Sequence, residues 1–198
     1  NIAADTKHIE ELYDLGYLPI EIKAVAEGER VNIKTPMIEI TNTDDRFPWL
    51  VNYLETLMSC HIWQPMTSAT IAYRYREIIN KYFELTVENV DAKKACGDFS
   101  MRGFSSLESA ESSAAGHLLS FTGTATIPAI IYLEKYYNCD IEKEEVAYGT
   151  PSTEHSVMCS YGRDEYSAYK RLINEVFPSG VISIVSDTHD YWNLIVSM

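Results

Sequence analysis

The chain has 198 residues, enough for one substantial core and at most two small ones, and its 46% hydrophobic and 12% aromatic content is that of a folded globular protein. Twenty-nine acidic residues against sixteen basic ones give a formal net charge of −13. Such a surface repels nucleic acid and anionic membrane, because both are bound mainly through Lys and Arg contacts to phosphate. A small phosphorylated substrate stays admissible, since it needs only a few local Arg, Lys and backbone N–H groups. No run approaches about 18 consecutive apolar residues, which excludes a membrane-spanning helix.

The start, Asn1-Ile2-Ala3-Ala4-Asp5, has neither the basic region nor the apolar core of a signal peptide. It also lacks an initiator methionine, as expected of a chain that does not begin where a gene begins. Cys60, Cys96, Cys139 and Cys159 are scattered, with no CxxC pair. That is the pattern of reduced thiols in a cytoplasmic protein rather than of a disulfide framework or a zinc site.

In chain order, Asp5 or Thr6 caps a predicted helix over Lys7–Leu15, stopped by Gly16. Leu18–Val25 and Met37–Ile40 read as strands, with Gly28 as a turn signal between them. From Phe47 to Trp63 the residues Trp49, Leu50, Tyr53, Leu54, Leu57 and Met58 recur at helical spacing. Pro65 is expected to break that helix, and a second amphipathic one resumes over Ser68–Leu85. The polar stretch Glu88–Lys94 leads into Gly97-Asp98-Phe99-Ser100-Met101-Arg102-Gly103. Ser105 with Glu108 makes a capping-box signature for a helix to about Leu119. Helices are expected over Thr126–Tyr137 and Arg163–Val176. The apolar run Val181-Ile182-Ser183-Ile184-Val185 reads as a buried parallel strand. The closing segment Tyr191–Met198 is apolar, begins like a helix and ends without a capping glycine, as expected of a chain cut from something longer. No repeat, low-complexity tract or flexible linker interrupts it, so residues 1–198 read as one continuous α/β unit.

Three polar clusters could carry chemistry. Asp98 to Gly103 is a loop entering a serine-capped helix, where unpaired N–H groups and Arg102 favour phosphate and Phe99 offers a flat stacking surface. In Pro151-Ser152-Thr153-Glu154-His155-Ser156, a histidine flanked by hydroxyls and a carboxylate can transfer protons or act as a nucleophile. In Ser183-Ile184-Val185-Ser186-Asp187, a carboxylate follows a strand at the end where parallel sheets place their active sites. Each cluster alone is equally the pattern of an ordinary loop, a helix start and a helix cap. A metal site built from Asp187, His189 and Asp190 is not expected.

The ordered set is more specific than any one cluster. Leu18-Pro19-Ile20-Glu21-Ile22-Lys23-Ala24-Val25, Asp98-Phe99 through Arg102-Gly103 with Ser105-Ser106, Glu154-His155-Ser156, and Val185-Ser186-Asp187 with Asp190 closely resemble the nicotinamide phosphoribosyltransferase family. His117, Phe121, Gly123, Thr124 and Lys135-Tyr136-Tyr137 fall in the same order, so the resemblance runs over nearly the whole chain. It implies an α/β fold, part of an irregular parallel barrel with helices outside, of the type II phosphoribosyltransferase kind. The implied reaction displaces diphosphate from phosphoribosyl diphosphate by the pyridine nitrogen of nicotinamide, in NAD salvage. Mg²⁺ would accompany the diphosphate, ATP is a possible coupled co-substrate, and the partner is a second copy in a homodimer.

Carried over residue by residue, Phe99 matches the aromatic residue that stacks on the pyridine ring. Arg102 matches an arginine that contacts ring-side groups and diphosphate. His155 matches the histidine transiently phosphorylated from ATP, Asp187 an active-site aspartate with an orienting role near His155 or the ribose, and Ser183 a pocket-lining serine. Two departures stand beside these matches. Ala125 replaces an aspartate that accepts the nicotinamide amide, which leaves nicotinate open as the substrate. Ser100 and Met101 replace a glycine and a tyrosine beside the ring slot. Family members also extend beyond both ends of this chain, so about half of the expected site is carried here. The rival readings are a nicotinate phosphoribosyltransferase and a non-catalytic relic that folds and dimerises, and the isolated chain is expected to be inactive.

Overall fold

The structure, a computed structural model, describes residues 5–88 and 91–197. Residues 1–4, Asn89 and Val90 within the predicted polar stretch, and Met198 at the end of the closing apolar segment lie outside the described residues.

The first helix, α1 (Lys7–Leu15), starts where the Asp5 carboxylate accepts the Lys7 N–H, and it ends where Gly16 donates back to the Leu12 and Tyr13 carbonyls. Two strands follow, β1 (Ile20–Ala24) and β2 (Ile38–Asn42), paired antiparallel with Ile22 opposite Ile40. The long helix α2 (Leu50–Thr86) is anchored at its start by the buried Phe47 and Leu50. There the Trp49 ring meets His8 of α1 edge-on, with centroids 4.8 Å apart.

Pro65 does not break α2, contrary to the sequence expectation. The proline denies the His61 carbonyl its donor, a local loss of about 3 kcal/mol in an isolated helix. Packing overrides it. Helix α3 (Leu107–Leu118) lies along α2 and presents Gly116 to the Pro65 turn. A Cβ on Gly116 would sit 2.5 Å from the Pro65 carbonyl oxygen, so the two backbones touch where any larger residue would separate them.

Between α2 and α3 the chain forms the short strand β3 (Gly97–Asp98) and a 3₁₀ turn over Ser100–Gly103. The cap of α3 is Ser106, not Ser105. Ser106 has extended backbone, and its hydroxyl accepts the Ser109 N–H at 3.2 Å, which moves the helix start along by one. After α3, β4 (Gly123–Thr124) pairs in parallel with β3. Helix α4 (Pro128–Tyr137) opens on its proline rather than at Thr126, closes on Asn138 and packs on α3.

The described residues of the last third include the helices α5 (His155–Cys159), α6 (Glu165–Arg171) and α7 (Tyr191–Ser197). The expected helix from Arg163 starts later, because Asp164 caps it through the Ser167 N–H at 3.2 Å, and its final turn, Leu172–Val176, is a π-helix. The expected strand at 181–185 is not formed. Its backbone makes one parallel bridge, Ser152 to Ser183, and Val181 is 72% exposed. Only Ile184 and Val185 find apolar cover, against the cluster of Met158, Ala168, Tyr169 and Leu194. An apolar run becomes a strand only where neighbours complete its ladder, and among the described residues it has a single partner. The architecture is therefore mixed α/β with a small antiparallel and a small parallel sheet; a barrel is not formed by these elements. No described helix is long and apolar enough to cross a membrane.

Candidate active site

Three segments distant in sequence meet at one place. Arg102 closes the 3₁₀ turn after β3 and directs both terminal guanidinium nitrogens at Glu154, each 3.4 Å from a carboxylate oxygen. Glu154 precedes α5, whose first residue is His155. The His155 Nε2 donates to Asp187 Oδ1 at 3.0 Å, and its Nδ1 stands 3.8 Å from Glu154 Oε1. A histidine engaged at Nε2 by a carboxylate has its tautomer set, so Nδ1 is the nitrogen left for proton or phosphoryl transfer. Bonding and charge from Arg102 hold the Glu154 carboxyl below its ordinary pKa.

The segments meet because their backbones are joined. Ser183 N–H donates to the Pro151 carbonyl at 2.9 Å and its own carbonyl accepts from Thr153 N–H at 3.0 Å. The Thr153 hydroxyl then takes the Val185 N–H at 2.9 Å. Tyr169 reaches from α6 to the Ser186 hydroxyl and the Val185 carbonyl, so the residue before Asp187 is held from below. Asp187 does not cap the next helix; Asp190 does, accepting the Asn193 N–H at 3.0 Å.

Of the residues expected from sequence, Arg102, His155 and Asp187 thus lie in one line of contacts, and Ser183 supports the backbone beneath them. Phe99 sits on the same turn as Arg102, 67% exposed, with its ring folded over Gly97. Its ring makes no aromatic or cation–π contact among the described residues. Ala125 is exposed on the turn after β4, its N–H bonded to the Asp98 carbonyl at 2.8 Å.

Asp98 belongs to the first polar cluster but has no role assigned by the resemblance. Its carboxylate accepts from Ser100, Thr124 and Thr126. Burial alone would raise its pKa, but the Ser100 and Thr126 bonds outweigh that and hold it below the ordinary value. The spacing Asp-x-Ser is an Asx-turn signal and exposes half of this arrangement; the threonines, over twenty residues away, give none. His117 of α3 donates from Nε2 to the Gly123 carbonyl at 3.1 Å, and burial pushes its pKa below the ordinary value. A groove of about 370 Å³ runs beside these groups, lined by Asp98, Ser100 and His117 with Gln64, Ser68 and Tyr75 of α2. Among the described residues no three His, Cys, Asp or Glu side chains are placed to hold a metal ion.

Comparison with known proteins gives a consistent picture. The model of the nicotinate phosphoribosyltransferase (NAPRTase) family matches residues 94–197, the part that carries every residue above apart from the α2 wall of the groove. The chain is 44% identical over 195 residues to a nicotinamide phosphoribosyltransferase of Acinetobacter baylyi, covering 98% of this chain and 38% of that protein. It is 33% identical over 184 residues to one of Xanthomonas campestris pv. campestris, covering 91% of this chain and 38% of that protein. To one of Mycoplasma pneumoniae it is 35% identical over 183 residues, or 90% of this chain and 37% of that protein. The chain therefore spans under two fifths of the length of the relatives it matches.

Proposed function

The chain belongs to the nicotinate phosphoribosyltransferase family, and from that membership we propose that it carries the pyridine-binding part of an enzyme that transfers a phosphoribosyl group to nicotinamide in NAD salvage. The products are nicotinamide mononucleotide and diphosphate. The observation that carries the reading is the line of contacts Arg102–Glu154–His155–Asp187, assembled from three separate segments inside the family match. The relatives' names supply the amide rather than the acid as substrate.

In this reading Phe99 stacks on the pyridine ring and holds it in line, mainly an orientation effect. Arg102 faces the diphosphate, whose Mg²⁺ enters as part of the substrate. Asp187 orients His155, and His155 accepts a phosphoryl group from ATP when that coupling operates. Ser183 lines the pocket beneath. We read the parallel pairings of β3 with β4, Gly123 with Tyr148 and Ser152 with Ser183 as inner edges of an irregular barrel, within a single partial domain over 1–198 that works as a homodimer.

A second reading, nicotinate as substrate, is favoured by Ala125, which brings no carboxylate to reject an acid. The test takes a protein of the relatives' length that contains this chain. It is supplied with phosphoribosyl diphosphate, Mg²⁺ and either pyridine, with and without ATP, and mononucleotide is followed. Nicotinamide mononucleotide as the main product supports the first reading, and a preference for nicotinate supports the second. Turnover with neither pyridine would overturn both and leave a folded, non-catalytic protein.

A further inference from the structure

Resting on that reading, we infer that Asp98 is a positioning residue for the pyridine slot, tying the turn that bears Phe99 to the turn that bears Ala125. The two turns are held together by very little regular structure, since β3 and β4 pair over only two residues each. Beyond that ladder one carboxylate carries the register. Asp98 Oδ1 accepts the Ser100 N–H at 3.1 Å and the Ser100 hydroxyl at 2.6 Å. Oδ2 accepts the Thr126 hydroxyl at 2.6 Å and the Thr124 hydroxyl at 3.3 Å. Phe99 is thus bracketed by Asp98 and Ser100, and Ala125 by Thr124 and Thr126, with both brackets closing on the same group.

The backbone follows the same plan. Ala125 N–H bonds the Asp98 carbonyl at 2.8 Å, and Thr126 N–H bonds the Thr124 hydroxyl at 3.0 Å. Thr126 is fully buried, so its hydroxyl has no water to turn to and stays on Asp98. All four bonds to the carboxylate, one from a backbone N–H and three from hydroxyls, are donated to it, which matches an ionised, acceptor-only group. With both oxygens occupied, Asp98 is not free to act as a base. Its effect on the reaction runs through the distance between residues 99 and 125, the stacking position and the position that faces the ring substituent. Loosening it therefore weakens pyridine binding more than phosphoribosyl diphosphate binding, because the Arg102 guanidinium, at the far end of the same turn, keeps its own pair with Glu154.

The experiment uses Asp98→Ala, Asp98→Asn and Thr126→Val in the same full-length protein. Asp98→Ala is expected to raise KM for the pyridine about tenfold, with KM for phosphoribosyl diphosphate and kcat within about twofold. Asp98→Asn should recover most of that loss, because its carbonyl keeps the Ser100 donors and its amide can donate to the two threonine hydroxyls. Thr126→Val removes one donor without changing shape; it is expected to raise the pyridine KM about threefold and serves if the alanine variant fails to fold. Amide hydrogen exchange gives a second arm that needs no turnover. Segments 98–104 and 122–127 should both exchange about tenfold faster in Asp98→Ala or, if it fails to fold, more modestly faster in Thr126→Val, with α4 unchanged. Equal rises in both KM values, a loss confined to kcat, or faster exchange in one turn only would overturn the inference. A wild-type protein without turnover overturns the proposed function instead, and the exchange arm then decides the role of Asp98 by itself.

Discussion

Glu154 is the residue on which the candidate site turns, because it faces Arg102 on one side and His155 on the other. Its pair with Arg102 is exposed and screened by solvent, so it contributes little to stability. What it sets is position: it ties the Arg102 turn to the start of the helix that opens on His155. Ala125 is the complementary case, a position defined by what it lacks. In the full-length protein, Ala125→Asp should raise the preference for nicotinamide over nicotinate about tenfold, since a carboxylate accepts an amide N–H and repels an acid. Measuring kcat/KM for both pyridines in both variants checks this; an unchanged ratio means that residue 125 does not face the ring. His117 gives a pH prediction. Its folded pKa lies below the ordinary 6.5, so the unfolded chain takes up the proton first as pH falls. Stability linked to it is complete above 6.5 and is lost as pH drops toward the folded value. His117→Gln keeps a donor for the Gly123 carbonyl, and its urea midpoint should fall less between pH 7 and 5 than the wild type's. The individual side chains Arg102, His155 and Asp187 were legible in the sequence as chemistry-bearing types in a family order. Asp98 was not, because its threonine partners carry no local signal and are brought to it by α3 and β4.

The helices were legible wherever an apolar stripe was long, and less so at their ends. Pro65 shows why: a local rule, sound for an isolated helix, lost to a tertiary contact that no window around residue 65 contains. The contact predicts its own sensitivity. Gly116→Ala places a methyl 2.5 Å from the Pro65 oxygen and 3.2 Å from the Ala69 nitrogen, backbone atoms in the middle of a long helix. The variant should lose about 2–4 kcal/mol, read from the shift in denaturant midpoint. Gly123→Ala should be similarly costly, with its Cβ 2.5 Å from the Cys96 oxygen across the short parallel sheet. Loss of under about 0.5 kcal/mol in either variant would mean that the backbones are not in contact there. The run at 181–185 failed as a strand for the opposite reason. Its apolar pattern was genuine, but periodicity reports burial and says nothing of whether a neighbouring strand is present.

At the scale of the molecule the surface is large. The chain exposes 14,583 Å², where a compact monomer of its mass exposes about 9,500 Å². Much of the excess is apolar and follows α2, where Tyr53, Leu57, Trp63, Ile71, Tyr75, Ile78, Tyr82 and Leu85 are all more than half exposed. His155 and Asp187 are also more than half open to water, so the 198-residue chain by itself should show little or no mononucleotide formation. Turnover of about 1 s⁻¹ or more from the chain alone would contradict this. The same chain should bind an environment-sensitive apolar dye and elute above its 22.5 kDa mass in size-exclusion chromatography with light scattering. A clean monomer without dye binding would show that α2 folds back on the body in solution. The uncovered row on α2 also has a calorimetric consequence. Unfolding releases only the area that folding had hidden, and here that is about four fifths of what a compact domain of this mass hides. The heat-capacity increment scales with that area, so it should fall below the roughly 2.4–3 kcal/mol/K expected for 198 residues. The stability curve of the chain alone would then be flatter than a compact domain's, changing little with temperature on the cold side of its maximum.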